Sequence, residues 1–145
     1  MKYIILFFFI VSCSAQKTSM KTSENNEDLV LILSDLHSNI ATPQILVIEE
    51  VFSLRTFFAT VNKTRKPGLA FPKVDFSKEQ IIIYARGENY SATIPQLRIS
   101  NEDRSAVFVE CSIQEIGEDT GVITSPFAMY RIKKITKQLQ FISAD

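Results

Sequence analysis

The sequence predicts an α+β fold, with a mainly antiparallel β-sheet or sandwich-like layer and one principal amphipathic helix. Short apolar runs of strand length recur through residues 29–145, the predicted domain. A single stretch in this domain has apolar residues at helical spacing. The connections are mostly short, which favours antiparallel neighbours because parallel strands need long crossover connections.

The elements nearest the start of the domain follow from apolar runs. Leu29–Leu33 is a short continuous run, typical of a strand buried on both faces, and a polar loop at Ser34–Thr42 separates it from a strand at Ile45–Ile48. A helix is predicted over Glu50–Lys63, ended by Pro67–Gly68. Its apolar stripe consists of Val51, Leu54, Phe58 and Val61, widened by Phe52 and Phe57. If all six are buried, at ~1.5–3 kcal/mol each, the helix is a principal core element.

The rest of the domain is predicted to be strands. They are expected at Glu79–Arg86, at Leu97 and Ile99 before a turn at Asn101–Asp103, at Arg104–Ile116, at Thr124–Lys134 and at Leu139–Ile142. Cys111 alternates in phase with Val107 and Val109, so it shares a face with branched aliphatic residues and is predicted to be an unreactive core thiol.

Composition excludes several classes of function. The 145 residues are 46% hydrophobic and 22% charged, as expected of one globular domain. The 16 basic residues balance 16 acidic ones, whereas nucleic-acid binders normally carry a basic excess, so no nucleic-acid partner is predicted. One His and two Cys are too few for most zinc sites and nucleophilic triads. We therefore predict no catalytic residue, no cofactor, no metal site and no enzymatic activity.

The N-terminus predicts export. Lys2 provides a positive charge, Ile4–Val11 is unbroken hydrocarbon, and Ser12–Gln16 consists mainly of small residues. This order is typical of a secretory signal peptide, and the apolar run is too short to span a bilayer, which takes ~20 residues. The signal peptide is predicted to cover residues 1–12 or, in the alternative considered next, residues 1–15.

Two processing outcomes remain open. Ile10–Cys13 resembles a bacterial lipobox, in which Cys13 becomes the lipidated first residue, whereas ordinary cleavage after Ala15 would leave Gln16 first. Lipidation of Cys13 is favoured because this residue stands where the apolar run ends. The polar segment 13–28 is then a flexible tether. The protein is expected at the outer membrane, in the periplasm or at the cell surface, with the membrane as a partner through the anchor on Cys13.

The isolated polar residues carry no evident chemistry. His37 is the single imidazole and lies beside Asp35 and Ser38, but triad members come from separate parts of a fold, so His37 is predicted to be a surface-loop residue. The charged clusters are expected to be solvated; they are Lys63–Lys66, Lys133 and Lys134 with Lys137, and an acidic turn of Glu115, Glu118 and Asp119.

One segment matches a known family pattern. Ala70–Glu79 reads AFPKVDFSKE and leads into the predicted central strand. It resembles the P-x-[VI]-D-F-x-[KE] strand entry of the PrcB C-terminal-like family, named for an accessory lipoprotein subunit of a bacterial surface protease complex. The resemblance runs from Ile45 to Ile142 and includes the apolar helix, Gly87 and Pro126.

The resemblance implies structural roles for the motif residues. Pro72 and Asp75 would fix the approach to the strand, with Asp75 suited to accept backbone N–H groups and Phe76 to pack beneath the sheet. Relatives carry G-x-x-x-[ST]-G-G-[YF] after this strand, whereas Gly87–Ile94 keeps only the first glycine. Other residues do not adopt positive φ as readily, so this loop is expected to have a different conformation.

These observations lead to a functional expectation. We expect a non-catalytic bacterial envelope lipoprotein that binds or stabilises an envelope partner, and the family resemblance implies a surface protease complex as that partner. The alternative is an envelope domain that binds a small ligand or glycan, which predicts a pocket lined by exposed Tyr or Phe.

Overall fold

Two β-sheets and one α-helix make up the part of the chain that the computed structural model describes, residues 28–114 and 119–144. The elements are β1 (Leu29–Asp35), β2 (Gln44–Ile48), α1 (Val51–Val61), β3 (Glu79–Ala85), β4 (Gln96–Glu102), β5 (Ala106–Ser112), β6 (Phe127–Lys133) and β7 (Gln138–Ser143). The predicted α+β class, with mainly antiparallel strands and one principal helix, is confirmed.

The first sheet has four strands in the order β1-β6-β3-β2, and all neighbours are antiparallel. Its central pair, β3 and β6, stays in unbroken register from Glu79 opposite Lys133 to Ala85 opposite Phe127. The two outer strands, β1 and β2, each have one neighbour in this sheet and therefore one edge without a strand partner in the described residues.

The second sheet has three strands in the order β4-β5-β7. β4 and β5 are antiparallel, as short connections predict, but β5 and β7 are parallel, from Ala106 opposite Gln138 to Cys111 opposite Ser143. The parallel pair arises because β6, which lies between them in the chain, belongs to the first sheet. It acts as the long crossover that parallel neighbours require.

The first sheet lies between α1 and the second sheet. Alternate residues of its central strands face opposite ways, so one set packs toward α1 and the other toward the second sheet. Ile81 and Ile83 of β3 belong to a core cluster with α1, whereas Ile82 belongs to a cluster with the second sheet. On β6, Phe127 and Met129 lie in the cluster with α1. The continuous apolar run of β3 thus reflects burial on both faces.

The helix is shorter than the periodicity predicts. It ends at Val61 and continues as a 3-10 turn at Asn62–Thr64, several residues before Pro67–Gly68. The Asn62 side chain accepts a hydrogen bond from the Leu69 N–H (2.7 Å) and donates one to the Leu69 carbonyl (3.2 Å). An Asn that bonds a later backbone segment competes with helix continuation, so the polar contact sets the end.

Four details of the predicted strands are corrected. Leu29 is buried, but Val30 and Leu31 are 39% and 49% exposed, because β1 is an outer strand and is not covered on both faces. The predicted turn at Asn101–Asp103 lies later, since Glu102 ends β4 and the Asp103 carboxylate accepts the N–H groups of residues 105 and 106. β1 also continues through the predicted loop residues 34 and 35, and β5 begins at residue 106, two residues later than predicted.

Candidate functional site

A groove of about 520 Å³ lies between α1 and the outer strand β2. We call it the α1–β2 groove, lined by Ile40, Gln44, Leu46, Val47, Ile48, Phe52, Ser53, Thr56, Phe57 and Thr60. In the described chain β2 pairs only with β3, so α1 covers space beside β2 that no described strand fills.

Simple periodicities build the two walls of the groove. Residues 52, 53, 56, 57 and 60 of α1 recur at helical spacing and form one stripe. On β2, Leu46 pairs with Ile83 and Ile48 pairs with Ile81, the two β3 residues that face the helix. Only residues 49–50 connect β2 to α1. The chain therefore reverses direction at these two residues, and the stripe on α1 runs alongside β2.

Part of this surface is apolar and exposed. Phe52 is 71% exposed, Val51 47% and Val47 41%. The sequence predicts one apolar face of the helix and makes it a principal core element if all six large apolar residues are buried; Val51 and Phe52 do not meet that condition. The buried members are Leu54, Phe57, Phe58 and Val61. Exposed large apolar side chains beside a strand edge that has no partner in the described residues are typical of an interaction surface.

The two ends of the groove carry opposite charge. Glu49 and Glu50 lie at the β2–α1 turn, in a shallow depression that Lys134 also lines. The Lys134 ammonium donates to the Phe76 carbonyl (3.3 Å). Lys63 lies beyond the far end of α1. Among the described residues, Glu49, Glu50 and Lys63 form no ion pair, so no partner neutralises their charges, although Glu50 accepts a hydrogen bond from the Ser53 hydroxyl (3.0 Å).

A second concavity lies at the other side of the molecule, between β1 and the β4–β5 pair. This edge cleft has a volume of about 850 Å³ and is lined by Leu29, Val30, Leu31, Gln96, Leu97, Arg98, Glu110, Ser112, Ile113, Gln114, Tyr130 and Ala144. The Tyr130 hydroxyl accepts a hydrogen bond from the Leu97 N–H (3.2 Å), and Arg98 pairs with Glu110 at 2.6 Å. Burial raises the pKa of Tyr130, against the effect of the Leu97 hydrogen bond, so its hydroxyl remains protonated at neutral pH.

Asp75, Phe76 and Pro72 shape the entry to β3. The Asp75 carboxylate accepts hydrogen bonds from the Ser77 hydroxyl (2.6 Å) and N–H (3.1 Å), which hold its pKa below the usual value. Its carbonyl accepts the N–H groups of Lys78 and Glu79. Phe76 is half-buried against the helix-side core, and Pro72 is half-buried. These contacts form a turn and contribute nothing to the α1–β2 groove.

Gly87 and Pro126 lie together at the end of the first sheet. The Pro126 carbonyl accepts the N–H of residue 86 (2.8 Å), and Pro126 is fully buried. Gly87 has φ +79°, and a Cβ there would lie 2.8 Å from the backbone N of Pro43 and 2.9 Å from the Ala41 carbonyl oxygen. Only glycine fits this close approach, which secures the loop that leads into β2.

The polar contacts around His37 have a structural role. Its backbone N–H, rather than its ring, donates to the Asp35 carboxylate (2.9 Å), and its carbonyl accepts a hydrogen bond from Arg65 (2.6 Å). Arg65 also binds the Asp35 carboxylate through both terminal nitrogens. Burial alone raises the pKa of Asp35, but the hydrogen bonds from Arg65 and His37 outweigh it and hold that pKa below its ordinary value. The exposed His37 and the buried Ser38 are not brought together as a catalytic pair.

Cys111 lies in the core between the two sheets with Val107 and Val109, as predicted. It is 8% exposed, and burial, assisted by Glu110, raises the pKa of its thiol to about 11. A thiol with that pKa is almost entirely protonated at neutral pH, so it provides little thiolate.

Within the basic clusters, Arg65, Lys133 and Lys137 have acidic partners, whereas Lys63 and Lys66 form no ion pair with a described residue. Lys133 lies 3.4 Å from Asp28, and Lys137 lies 2.6 Å from Glu102. Arg65 is the partner of Asp35 described above. Of the acidic turn, Asp119 is exposed, whereas Glu115 and Glu118 lie outside the described residues.

Some of the predictions concern residues outside the described ranges. Cys13, the signal peptide and the tether up to residue 27 lie outside the described residues. In the described ranges there is no group of three or more His, Cys, Asp or Glu residues arranged to hold a metal ion. Likewise, none of the helices in those ranges combines the length and the hydrophobicity that crossing a membrane requires.

Comparisons with known proteins return no family model, no curated protein and no solved structure that matches the chain.

Sequence reasoning missed the α1–β2 groove for an identifiable reason. The prediction includes Phe52 in the apolar face that packs on the sheet. The available signal is helical spacing: at about 3.6 residues per turn, Phe52 points away from the face shared by Leu54, Phe58 and Val61. Which strand lies beside Phe52 depends on strand order, and that order is set by long-range pairing.

Proposed function

We propose that this protein is an exported, non-catalytic accessory module that binds a partner protein of the bacterial envelope through the α1–β2 groove. The observation that carries the proposal is the combination of an outer edge of β2 that meets no other described strand with exposed apolar side chains, above all Phe52 at 71% exposure. Extended apolar surface on a small domain is typical of a protein–protein contact.

The N-terminal sequence supports an envelope location. The charged start, the apolar run at Ile4–Val11 and the lipobox-like Ile10–Cys13 favour a lipid anchor on Cys13. A tether of polar residues up to Asp28 would hold the domain near the membrane and raise its effective concentration around partners on the same surface. The resemblance to the PrcB C-terminal-like family supports an accessory role and suggests a surface protease complex as the partner.

The anchor has its own test. The full chain is expressed in a bacterial host, and the mass of the mature N-terminus is measured. Lipidation predicts a chain that begins at Cys13 with added acyl mass and becomes soluble in the Cys13→Ala variant. A mature chain that begins at unmodified Gln16 would instead show ordinary cleavage after Ala15.

The binding role is tested by co-purification from detergent-solubilised membranes with the full chain. We expect the wild type to recover a partner protein and Phe52→Asp to lose it. Binding would bury the new carboxylate in the groove, and burying an unpaired charge is costly. The matched control is Val122→Asp, a change at a residue that is 63% exposed and does not line the groove. No recovered partner, or equal loss with both variants, would count against the proposal.

The edge cleft supports a second candidate, a small-ligand site. Tyr130 supplies a protonated hydroxyl to a cavity of suitable size, about 850 Å³. However, Tyr130 is only 7% exposed, so it offers no open face on which a sugar could stack. A thermal-shift screen of Tyr130→Phe against the wild type would distinguish this role, since only a ligand that uses the hydroxyl is sensitive to the change.

A further inference from the structure

The four outer strands of the two sheets differ in how they are protected. In the described chain these strands are β1, β2, β4 and β7. The pairing of β1 shifts register between Leu31 and Leu33, and that of β4 shifts between Ile99 and Asn101. Such irregularities distort an edge and discourage further strands. β2 pairs in unbroken register and contains no charged residue and no Pro.

The apolar α1–β2 groove runs along the outer edge of β2. The other outer strand with a regular pairing is β7, and it lines neither the groove nor the edge cleft. A chain placed beside β2 would have backbone groups to pair with and helix side chains above it. Every second residue of an added strand would point toward Phe52 and Phe57, because side chains alternate along a strand. The groove is therefore shaped for an extended segment with apolar residues at alternate positions.

Resting on the proposed binding role, we propose that the partner contributes an extended segment that adds to β2 as a fifth, antiparallel strand of the first sheet. This segment carries alternating apolar residues, a basic residue near its start and an acidic residue near its end. The antiparallel direction follows the other pairs of this sheet, all of which are antiparallel.

Charge complementarity fixes the polarity of the segment. An antiparallel strand begins beside the end of β2, where Glu49 and Glu50 are exposed, and finishes toward Lys63. A basic start and an acidic end meet opposite charges at both positions. Lys134 lies near the end of the groove that carries Glu49 and Glu50, but its single positive charge is smaller than the charge of the two carboxylates.

The length is set by β2 itself. Five residues at ~3.4 Å each give a contact of ~17 Å. Three alternate side chains of the segment then face the groove, and two flanking residues reach the charged ends.

The test uses the full chain and three synthetic peptides, acetylated and amidated at their ends and labelled for fluorescence anisotropy. The first is Lys-Val-Ser-Val-Ser-Val-Glu, the second is its reverse, Glu-Val-Ser-Val-Ser-Val-Lys, and the third is the first with alternate backbone nitrogens methylated. We expect the first to bind, the reverse to bind about fivefold more weakly because both end charges are mismatched, and the methylated peptide to lose at least about tenfold in affinity.

Variants make the test reciprocal. Glu49→Lys with Glu50→Lys reverses the charge at one end and should bring the two unmethylated peptides to similar affinity or favour the reverse one. Phe52→Asp should abolish binding of all three peptides, whereas Val122→Asp should leave it unchanged.

The outcomes separate this inference from the proposed function. Equal binding of the methylated and unmethylated peptides, or no binding at all, overturns strand addition, while the co-purification result still decides the accessory role. A stable dimer of the chain that Phe52→Asp dissociates also overturns it, because a second copy would then occupy the groove.

Discussion

β1 and β2 are the two outer strands of the same sheet, yet their free edges are different. β1 has a register shift between Leu31 and Leu33 and lies beside the edge cleft, whose rim carries the Arg98–Glu110 ion pair. β2 is regular and uncharged and lies beside the apolar α1–β2 groove. An irregular edge resists further pairing, whereas a regular edge under a helix permits it. This difference is why we propose that a further strand adds to the sheet at β2 and not at β1.

The contrast between the edges of β1 and β2 would lose its functional meaning if the Phe52 side chain were needed for folding. Leu54 and Phe52 lie on the same helix, but Leu54 is completely buried and Phe52 is 71% exposed. Leu54→Ala should lower the free energy of unfolding by about 2–5 kcal/mol, since it leaves a cavity in the core.

The matched change Phe52→Ala should alter the free energy of unfolding by less than about 0.5 kcal/mol. Chemical denaturation of both variants measures the two values. A large loss with Phe52→Ala would show that this side chain supports the fold rather than a partner.

The position of β2 depends on the close approach at Gly87. Gly87→Ala should destabilise the protein by about 2–3 kcal/mol, because the new methyl group meets the backbone of Pro43 in addition to the strain of positive φ. Gly121 also has positive φ, but a Cβ there meets nothing within 4 Å, so Gly121→Ala should cost only about 1 kcal/mol. Thermal unfolding of the two variants measures both losses of stability. Equal losses would argue against a close contact between Gly87 and Pro43.

The far end of β1 is held by Arg65. Asp35→Asn removes the charged partner of Arg65 and should cost about 1 kcal/mol, a value kept low by partial exposure. Since the pKa of Asp35 is lowered in the folded state, the pair stabilises the protein fully above the ordinary pKa of 3.8. This contribution is lost as pH falls through the lower pKa of the folded state.

Urea unfolding of the wild type and Asp35→Asn at neutral and acidic pH measures this effect. The stability difference between the two proteins should shrink as the pH falls below the ordinary pKa. A difference that is independent of pH would contradict the role of the Asp35 charge.

The smallest effect is expected at the start of β1. Lys133 lies 3.4 Å from Asp28, and both side chains are more than half exposed. Lys133→Ala should therefore change stability by less than about 0.5 kcal/mol. A loss above 1 kcal/mol in denaturant unfolding would show that an ion pair, and not only the register shift, maintains this edge.

Local pattern was enough to predict most of the fold. The run at residues 81–83 predicted a central strand, and the alternation around Cys111 predicted a buried thiol, because each depends on neighbours along the chain. The spacing of Leu54, Phe58 and Val61 likewise predicted the helix and its buried face.

Features set by strand order were not predictable in this way. Three features follow from which strands meet in space: the exposure of β1, the parallel pairing of β5 with β7 and the edge of β2 that no described strand covers. The candidate site belongs to this group. The sequence places Phe52 with the core residues of the helix, whereas in the structure it is 71% exposed and lines the groove beside β2.

Residue-resolved amide hydrogen exchange gives the most direct test of strand addition at β2. The full chain is compared with and without saturating Lys-Val-Ser-Val-Ser-Val-Glu peptide. We predict that alternate amides within Gln44–Ile48 become protected at least about tenfold, while exchange in Leu29–Asp35 stays unchanged. Protection in β1 instead, or none in β2 when the peptide is bound, would contradict the proposal that the sheet is extended at this edge.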